Sequence, residues 1–371
     1  MRKSLVVGAV LAALCGGAAM AEDGLPATMI WTTYHVGSAG HSEASAIADA
    51  LGKQYGTRVR IQPSSSAIGR IDPVLQGRAH VGFLGNEVYF ASEGIYDYAT
   101  PDRGPQPVRA IAGRLSSFVI ATAKDAGISQ VEDLRGKRFA MPIGNSSVNS
   151  KCAAMLAFGG LSYDDLELLE LPAYKDTISA MTEGRADAAC VVTTTGGLYE
   201  LAESPRGISY VPLPADNAEG WERMSAVLPI LSPYKESVGA GLKDGDSIEA
   251  AGYRYPVLTV RTDMSVDEVY ALTKAMDETF EIYKDATFAS RRWSLDQAAT
   301  PPIDAPFHEG AVKYLTEKGM WSEEAEAWNK ARIERETKIL AEWEAFAEAN
   351  KDLSEEAFKS AWHDHRADLL K

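Results

Sequence analysis

From Met29 onward the chain alternates short apolar runs with segments whose apolar residues recur every three to four positions. This is the pattern of strands and helices taken in turn around a mostly parallel sheet. Met29–Tyr34, Val59–Gln62 and His80–Leu84 are the first predicted strands. Each runs into a small, polar loop: Val36-Gly37-Ser38-Ala39-Gly40-His41-Ser42, then Ser64-Ser65-Ser66 after Pro63, then Gly85-Asn86-Glu87. Helices follow, one with Ala44, Ile47, Ala48 and Leu51 on its apolar face, the next with Ile68, Ile71 and Leu75. Beyond the Pro- and Gly-rich stretch Pro101–Pro107, Val108–Ala112 and the strongly β-prone Phe118–Thr122 read as separate strands. A second block repeats the design. A short helix, a turn at Gly136 and a strand to Met141 lead into Pro142-Ile143-Gly144-Asn145-Ser146-Ser147, and the helix Asn149–Phe158 stops at Gly159-Gly160. Glu167–Leu171, a helix Asp176–Glu183 and the strand Ala188–Val192 follow, the last ending at Thr193-Thr194-Thr195-Gly196-Gly197.

Ligands of open α/β sheets sit beyond the carboxyl ends of the strands, where helix N-termini present backbone N–H groups. Small residues let the backbone approach, and Ser, Thr and Asn add side-chain donors. Ser38, His41, Ser64, Ser65, Ser66, Asn86, Glu87, Asn145, Ser146, Ser147, Thr193, Thr194 and Thr195 are therefore the candidate ligand-binding residues. Taken singly, a Ser or Asn at such a place is a helix cap; recurrence at corresponding places points to a shared cleft. Arg70 and Arg114 are candidates for an anion clamp, because guanidinium binds carboxylate through two parallel hydrogen bonds. The alternative for each is an ion pair with one of the chain's many acids.

Composition sets the class. At 46% hydrophobic and 24% charged residues the chain is an ordinary globular protein, long enough for about two domains. Arg2 and Lys3, the apolar run Leu5–Leu14 and Ala19-Met20-Ala21 form a secretory signal cleaved near Ala21, the run being too short for a permanent membrane helix. Leu14 before Cys15 places a bulky residue where lipoprotein processing needs a small one. Without Arg2 and Lys3 the chain carries 52 acidic against 35 basic residues, a net charge of −17 that argues against a nucleic-acid partner. Cys152 and Cys190 survive cleavage into an oxidising compartment, where they either pair or serve as two small buried residues. No zinc-ligand spacing, phosphate loop or nucleophile elbow occurs, so no metal, cofactor or enzyme activity is expected. From Trp321 to Lys371, Trp328, Ala331, Ile339, Trp343 and Phe346 fall near one face of a long helix, and Leu353–Leu370 reads as a second. This hairpin either packs on its own body or offers a homodimer or docking surface.

Leu134-Arg135-Gly136-Lys137-Arg138, Gly184-Arg185-Ala186-Asp187-Ala188-Ala189 and, most specifically, Pro306-Phe307-His308-Glu309-Gly310-Ala311-Val312-Lys313-Tyr314 with Glu317 and Gly319 carry a resemblance. The chain resembles the TAXI family of solute-binding receptors for tripartite ATP-independent periplasmic (TRAP) transporters from about Met29 to Gly319. The resemblance implies an α/β, two-lobe type II periplasmic binding protein fold with a C-terminal helical extension (321–371). Lobe one would be discontinuous, 22–117 plus 256–320, and lobe two would be 118–255, with crossings near Leu115–Ala121 and Tyr255–Val260. It further implies capture of a small organic solute, an amino acid or organic acid, and delivery to a TRAP membrane permease. Reporting to a membrane sensor is the alternative output, and an enzyme on the same two-lobe fold is the less favoured alternative. Where relatives carry Gly-Gly-Thr-Tyr-Tyr, this chain has Gly37-Ser38-Ala39-Gly40-His41. It likewise has Ser64–Arg70, Asn145–Val148 and Thr195-Gly196-Gly197 in place of the family's loop sequences, so the scaffold transfers further than the solute. His308 is expected to be structural, fixing the loop before its helix.

Overall fold

The computed structural model describes residues 24–371; the expected signal segment lies outside the described residues. The strands are β1 (Thr28–Thr33), β2 (Arg58–Pro63), β3 (Val81–Leu84), β4 (Val108–Ala123), β5 (Arg138–Pro142), β6 (Glu167–Leu171), β7 (Ala188–Val191), β8 (Ile208–Val211), β9 (Ser232–Glu236) and β10 (Ile248–Arg261). They form one path in the order β2-β1-β3-β10-β4-β7-β5-β6, with β8 beside β4 and β9 beside β10. β1 pairs in parallel with β2 and β3, and β5 in parallel with β6 and β7, so each end of the path is a small parallel sheet with its own helices.

The two long antiparallel strands join these ends into two lobes. β4 is one continuous strand rather than the two expected, because Gly113–Ser117 keeps an extended ladder with β10. The first half of β4, Val108–Gly113, pairs with Val257–Arg261, and β3 adds to the same stretch of β10. The second half pairs with Ala251–Arg254 and then with β7 and β8. The register shifts between Arg254 and Val257, where Pro256 has no N–H to give the ladder. The passage between lobes therefore lies at Arg114 and Tyr255-Pro256.

Helix starts follow local chemistry. Ser38, Ser66, Asn145, Ser265, Ser322 and Ser354 each accept a backbone N–H of the first turn. The helical segment after β10 is broken, Val266–Glu278 then Phe280–Tyr283, with Thr279 bonding back to Ala275 O at 2.7 Å. His308 caps Glu309–Glu317: Nδ1 accepts from Gly310 N and Nε2 faces Met264 O at 3.0 Å, which fixes a neutral ring. The same segment adds a short bridge to β4, with His308 N donating to Ala110 O at 2.9 Å.

The extension is a hairpin of helices Glu323–Asn350 and Glu355–Leu369. Ile339, Trp343, Phe358 and Trp362 form a core of their own against Ala99. Trp362 Nε1 donates to Gly94 O at 2.7 Å. Buried Glu93 accepts from Arg332 at 2.7 Å, from Arg335 at 2.9 Å and from Arg366. The aromatic stripe that left a homodimer open thus packs on the chain's own first lobe, while Ala331 turns outward to solvent.

Cys152, on the helix Ser146–Phe158, and Cys190, on β7, are joined in a disulfide with Cα atoms 5.8 Å apart. The bond closes a loop of 38 residues inside the second lobe, worth about 4 kcal/mol by chain entropy. Urea unfolding of the paired Cys152→Ser/Cys190→Ala variant is expected to show a loss of that order; unchanged stability would mean the bond is not formed in solution.

Candidate functional site

The helix-opening loops of both lobes meet. From the first lobe come Tyr34 after β1, Ser65 after β2 and Asn86 after β3; from the second come Asn145 and Ser147 after β5 and Thr195 after β7. Asn145 Nδ2 donates to Ser65 O at 3.4 Å, and Asn86 N donates to Ser147 Oγ at 3.0 Å. Tyr34 Oη reaches both Glu87 and Ser147 at 3.4 Å. Gly85 permits this approach: a methyl there would lie 2.3 Å from Tyr34 Oη and 2.7 Å from Ser147 Oγ.

Two cations and two carboxylates are sealed in this interface. Arg70 is fully buried, donates from Nε to Glu87 at 2.7 Å and lies 3.6 Å from the Tyr34 ring centroid. Its Nη2 has no hydrogen-bond partner. Lys151 projects from the second lobe, its Nζ 2.5 Å from Asn86 Oδ1, bonded to Ser147 and 4.9 Å from the ring centroids of both Phe118 and Tyr253. Asn86 then donates to Asp304 Oδ2 at 2.8 Å, so Asp304, Asn86 and Lys151 form a chain between the lobes. Tyr34, Ser38, Tyr174, Tyr253, Tyr255 and Lys151 border a cavity of only about 10 Å³, room for the centre of one water.

Burial dominates the electrostatics. It pushes the Lys151 ammonium down to about 7, against the pull of Glu87 and Asp304. It pushes the Asp304 carboxyl up to about 7, against the Asn86 hydrogen bond and Lys151. Glu87 is also desolvated, yet the Arg70 charge and hydrogen bond outweigh this and hold its carboxyl below the usual range. His35, tilted against Tyr174 of the other lobe at 5.6 Å, is pushed down to about 4 by burial and by Arg70, so it is neutral at pH 7.

The expected residues divide. Ser38, Ser65, Arg70, Asn86, Glu87, Asn145, Ser147 and Thr195 come together at the interface. His41 turns to Thr33 Oγ1 at 3.1 Å, Ser64 and Ser66 serve their own loop, and Ser146 bonds Asp97 at the rim. Thr193 donates to Val238 O at 2.7 Å, and Thr194 Oγ1 is buried without a partner. Arg114 is held by Glu43 in a bidentate pair with both bonds 2.5 Å, and Trp293 Nε1 donates to the same carboxylate at 2.7 Å. That geometry uses Arg114 to brace the crossing strand against the helix Ala39–Tyr55. Sequence reasoning missed Lys151, Asp304 and the tyrosines. Lys151 had a signal: it stands with Val148, Cys152 and Met155 at apolar-stripe spacing, a charge on a buried face.

The sheet order and the paired crossing strands give the two-lobe α/β architecture of the type II periplasmic binding protein fold. The chain belongs to the NMT1-like family, which matches residues 32–319. Among solved structures it is similar to an ABC transporter periplasmic binding protein from Brucella ovis with glutathione bound: 13% identity over 68% of this chain and 67% of that one, TM-score 0.44. It is also similar to an ancestral arginine-binding protein bound to arginine (15%, 72% and 99%, 0.41). A protein from Bordetella bronchiseptica gives 17% identity, 80% and 90% coverage and a TM-score of 0.45. Likeness this distant carries nothing about the solute.

Asp304 yields a pH test. Its folded value of about 7 lies above the ordinary 3.8, so the folded chain keeps a proton that the unfolded chain releases. The resulting stability is full below pH 3.8 and is lost as pH rises through 7. Lys151 runs the other way, its contribution full above 10.5 and lost as pH falls through 7. Melting curves across pH 4–7 are therefore expected to show a smaller fall toward pH 7 in Asp304→Asn than in the wild type; parallel curves would contradict the burial of an acidic Asp304.

Proposed function

We propose that this chain is an extracytoplasmic receptor that captures a small, carboxylate-bearing solute between its lobes and delivers it to a TRAP-type membrane permease. The observation that carries the solute class is Arg70: a fully buried guanidinium at the lobe interface whose Nη2 lacks a partner, so that an anionic oxygen would complete it. Lys151 lies in the same interface as a second cation, and Tyr34, Tyr174, Tyr253 and Tyr255 supply flat apolar walls. Lys151 and the rings fill the cleft, so a solute larger than water enters by parting the lobes and replacing the Lys151–Asn86 contact. Closure then follows from the solute binding the closed arrangement better than the open one.

Support for the permease class is the resemblance carried by Pro306–Tyr314, together with the expected export signal. The disulfide fits an oxidising compartment. The proposed division keeps 22–117 plus 256–320 as lobe one and 118–255 as lobe two.

A thermal-shift screen of refolded, ligand-stripped protein against amino acids and mono-, di- and tricarboxylates tests the reading. A true solute at a hundredfold excess over Kd stabilises by about 2.7 kcal/mol. Arg70→Gln is expected to abolish that shift. Arg114→Ala is expected to lower stability by roughly 3–5 kcal/mol, since Glu43 is left buried and unpaired, while the solute shift persists. A shift that survives Arg70→Gln, or a hit consumed during the assay, would overturn the proposal.

A further inference from the structure

Away from the cleft, a cavity of about 420 Å³ lies between the C-terminal hairpin and residues 225–229 at the end of the helix Ala218–Val227. Its solvent-open apolar lining is Tyr96, Val227 and Pro229, while Trp362 and Leu228 lie behind it, fully buried. Its basic side chains are Lys359, His363 and Arg366, and no Asp or Glu lines it, in a chain with 52 acidic and 37 basic residues. Behind the wall three arginines, Arg332, Arg335 and Arg366, converge on the carboxylate of Glu93, with Asp304 and Glu336 also acting on Arg332. The Nε groups of Arg332 and Arg366 are buried without partners. Surface acids do approach from the solvent side, Glu355 on Lys359 and Asp364 beside His363.

Tyr96 is held in place at some cost. It is the sole non-glycine residue with positive φ among the described residues, at 53°. Its hydroxyl donates to Val227 O at 3.2 Å and its ring packs on Phe90 at 4.4 Å, which fixes it as a wall of the cavity. The hairpin that supplies Trp362 and Arg366 lies beyond the residues matched to the family, so this cavity is built by a segment added to the family body.

We infer that this cavity binds a small amphipathic anion, its apolar or aromatic body against Tyr96, Val227 and Pro229 and its carboxylate or sulfonate toward Arg366 and Lys359. The volume suits such a ligand, the lining excludes a cationic one, and charge-assisted bonds to guanidinium supply direction. The ligand touches both the hairpin and the second lobe.

The test is a fluorescence titration of the full mature chain with anilinonaphthalene sulfonate, reading energy transfer from tryptophan, beside the uncharged N-phenylnaphthylamine. The variants are Lys359→Glu/His363→Glu, which reverses charge at side chains partly or largely open to solvent, and Ala226→Trp, which fills the cavity from an exposed position. Circular dichroism checks that each folds. The wild type is expected to saturate at one equivalent. Charge reversal should weaken the sulfonate about tenfold or more and the uncharged probe less than twofold, and Ala226→Trp should weaken both. The inference is overturned if charge reversal leaves the sulfonate unaffected or weakens both probes equally. It is equally overturned if binding does not saturate, or if Ala226→Trp changes nothing.

Discussion

Four ionisable side chains buried between two lobes govern this molecule. Arg70, Glu87, Lys151 and Asp304 are each at most 3% exposed, and none would be stable there alone. Glu87 neutralises Arg70 directly, whereas Lys151 and Asp304 meet through Asn86, a weaker arrangement in which burial brings both to about 7. Lys151 comes from the second lobe, where Ser147 also holds it, and its bond to Asn86 reaches into the first. Any opening breaks the Lys151–Asn86 bond and returns the Lys151 side chain to water.

The rest of the fold serves this contact. β4 and β10 run through both lobes and hold them side by side, and their ladder is interrupted only around Pro256 and at Leu258/Thr259. Arg114 stands at that passage, and its pair with Glu43, reinforced by Trp293, ties the crossing strand to the first helix of the first lobe. The disulfide fastens the helix bearing Lys151 to the sheet of the second lobe, so that the ammonium moves with its lobe as a rigid part. The hairpin stiffens the first lobe from outside by packing Trp343 and Trp362 at right angles, 4.7 Å apart, over Ala99.

Much of the architecture was legible because it depends on local patterns. Ser38, Ser66 and Asn145 mark helix starts by their own chemistry, and the small loops after β1, β2, β3, β5 and β7 do converge. The single strand β4 was not legible, since Gly113–Ser117 has no apolar run and is kept extended by β10, far away in sequence. The chemistry of the cleft was half visible. Arg70 stands on a predicted helix after a predicted loop, but whether an arginine faces a ligand or a glutamate depends on which acid the fold brings near, here Glu87 for one and Glu43 for the other. Asp304 lies in a Pro-rich loop with no periodicity, and only its tertiary contact with Asn86 shows its place.

The most direct measurement of the central claim is the distance between spin labels on the two lobes, at the exposed positions Lys53 and Glu132, in the wild-type background and with Lys151→Met. If the buried ammonium holds the lobes together, the wild type gives a narrow, short distribution and Lys151→Met a longer, broader one. Identical distributions would show that the lobes are held by other contacts and that the interlobe charges do not control closure.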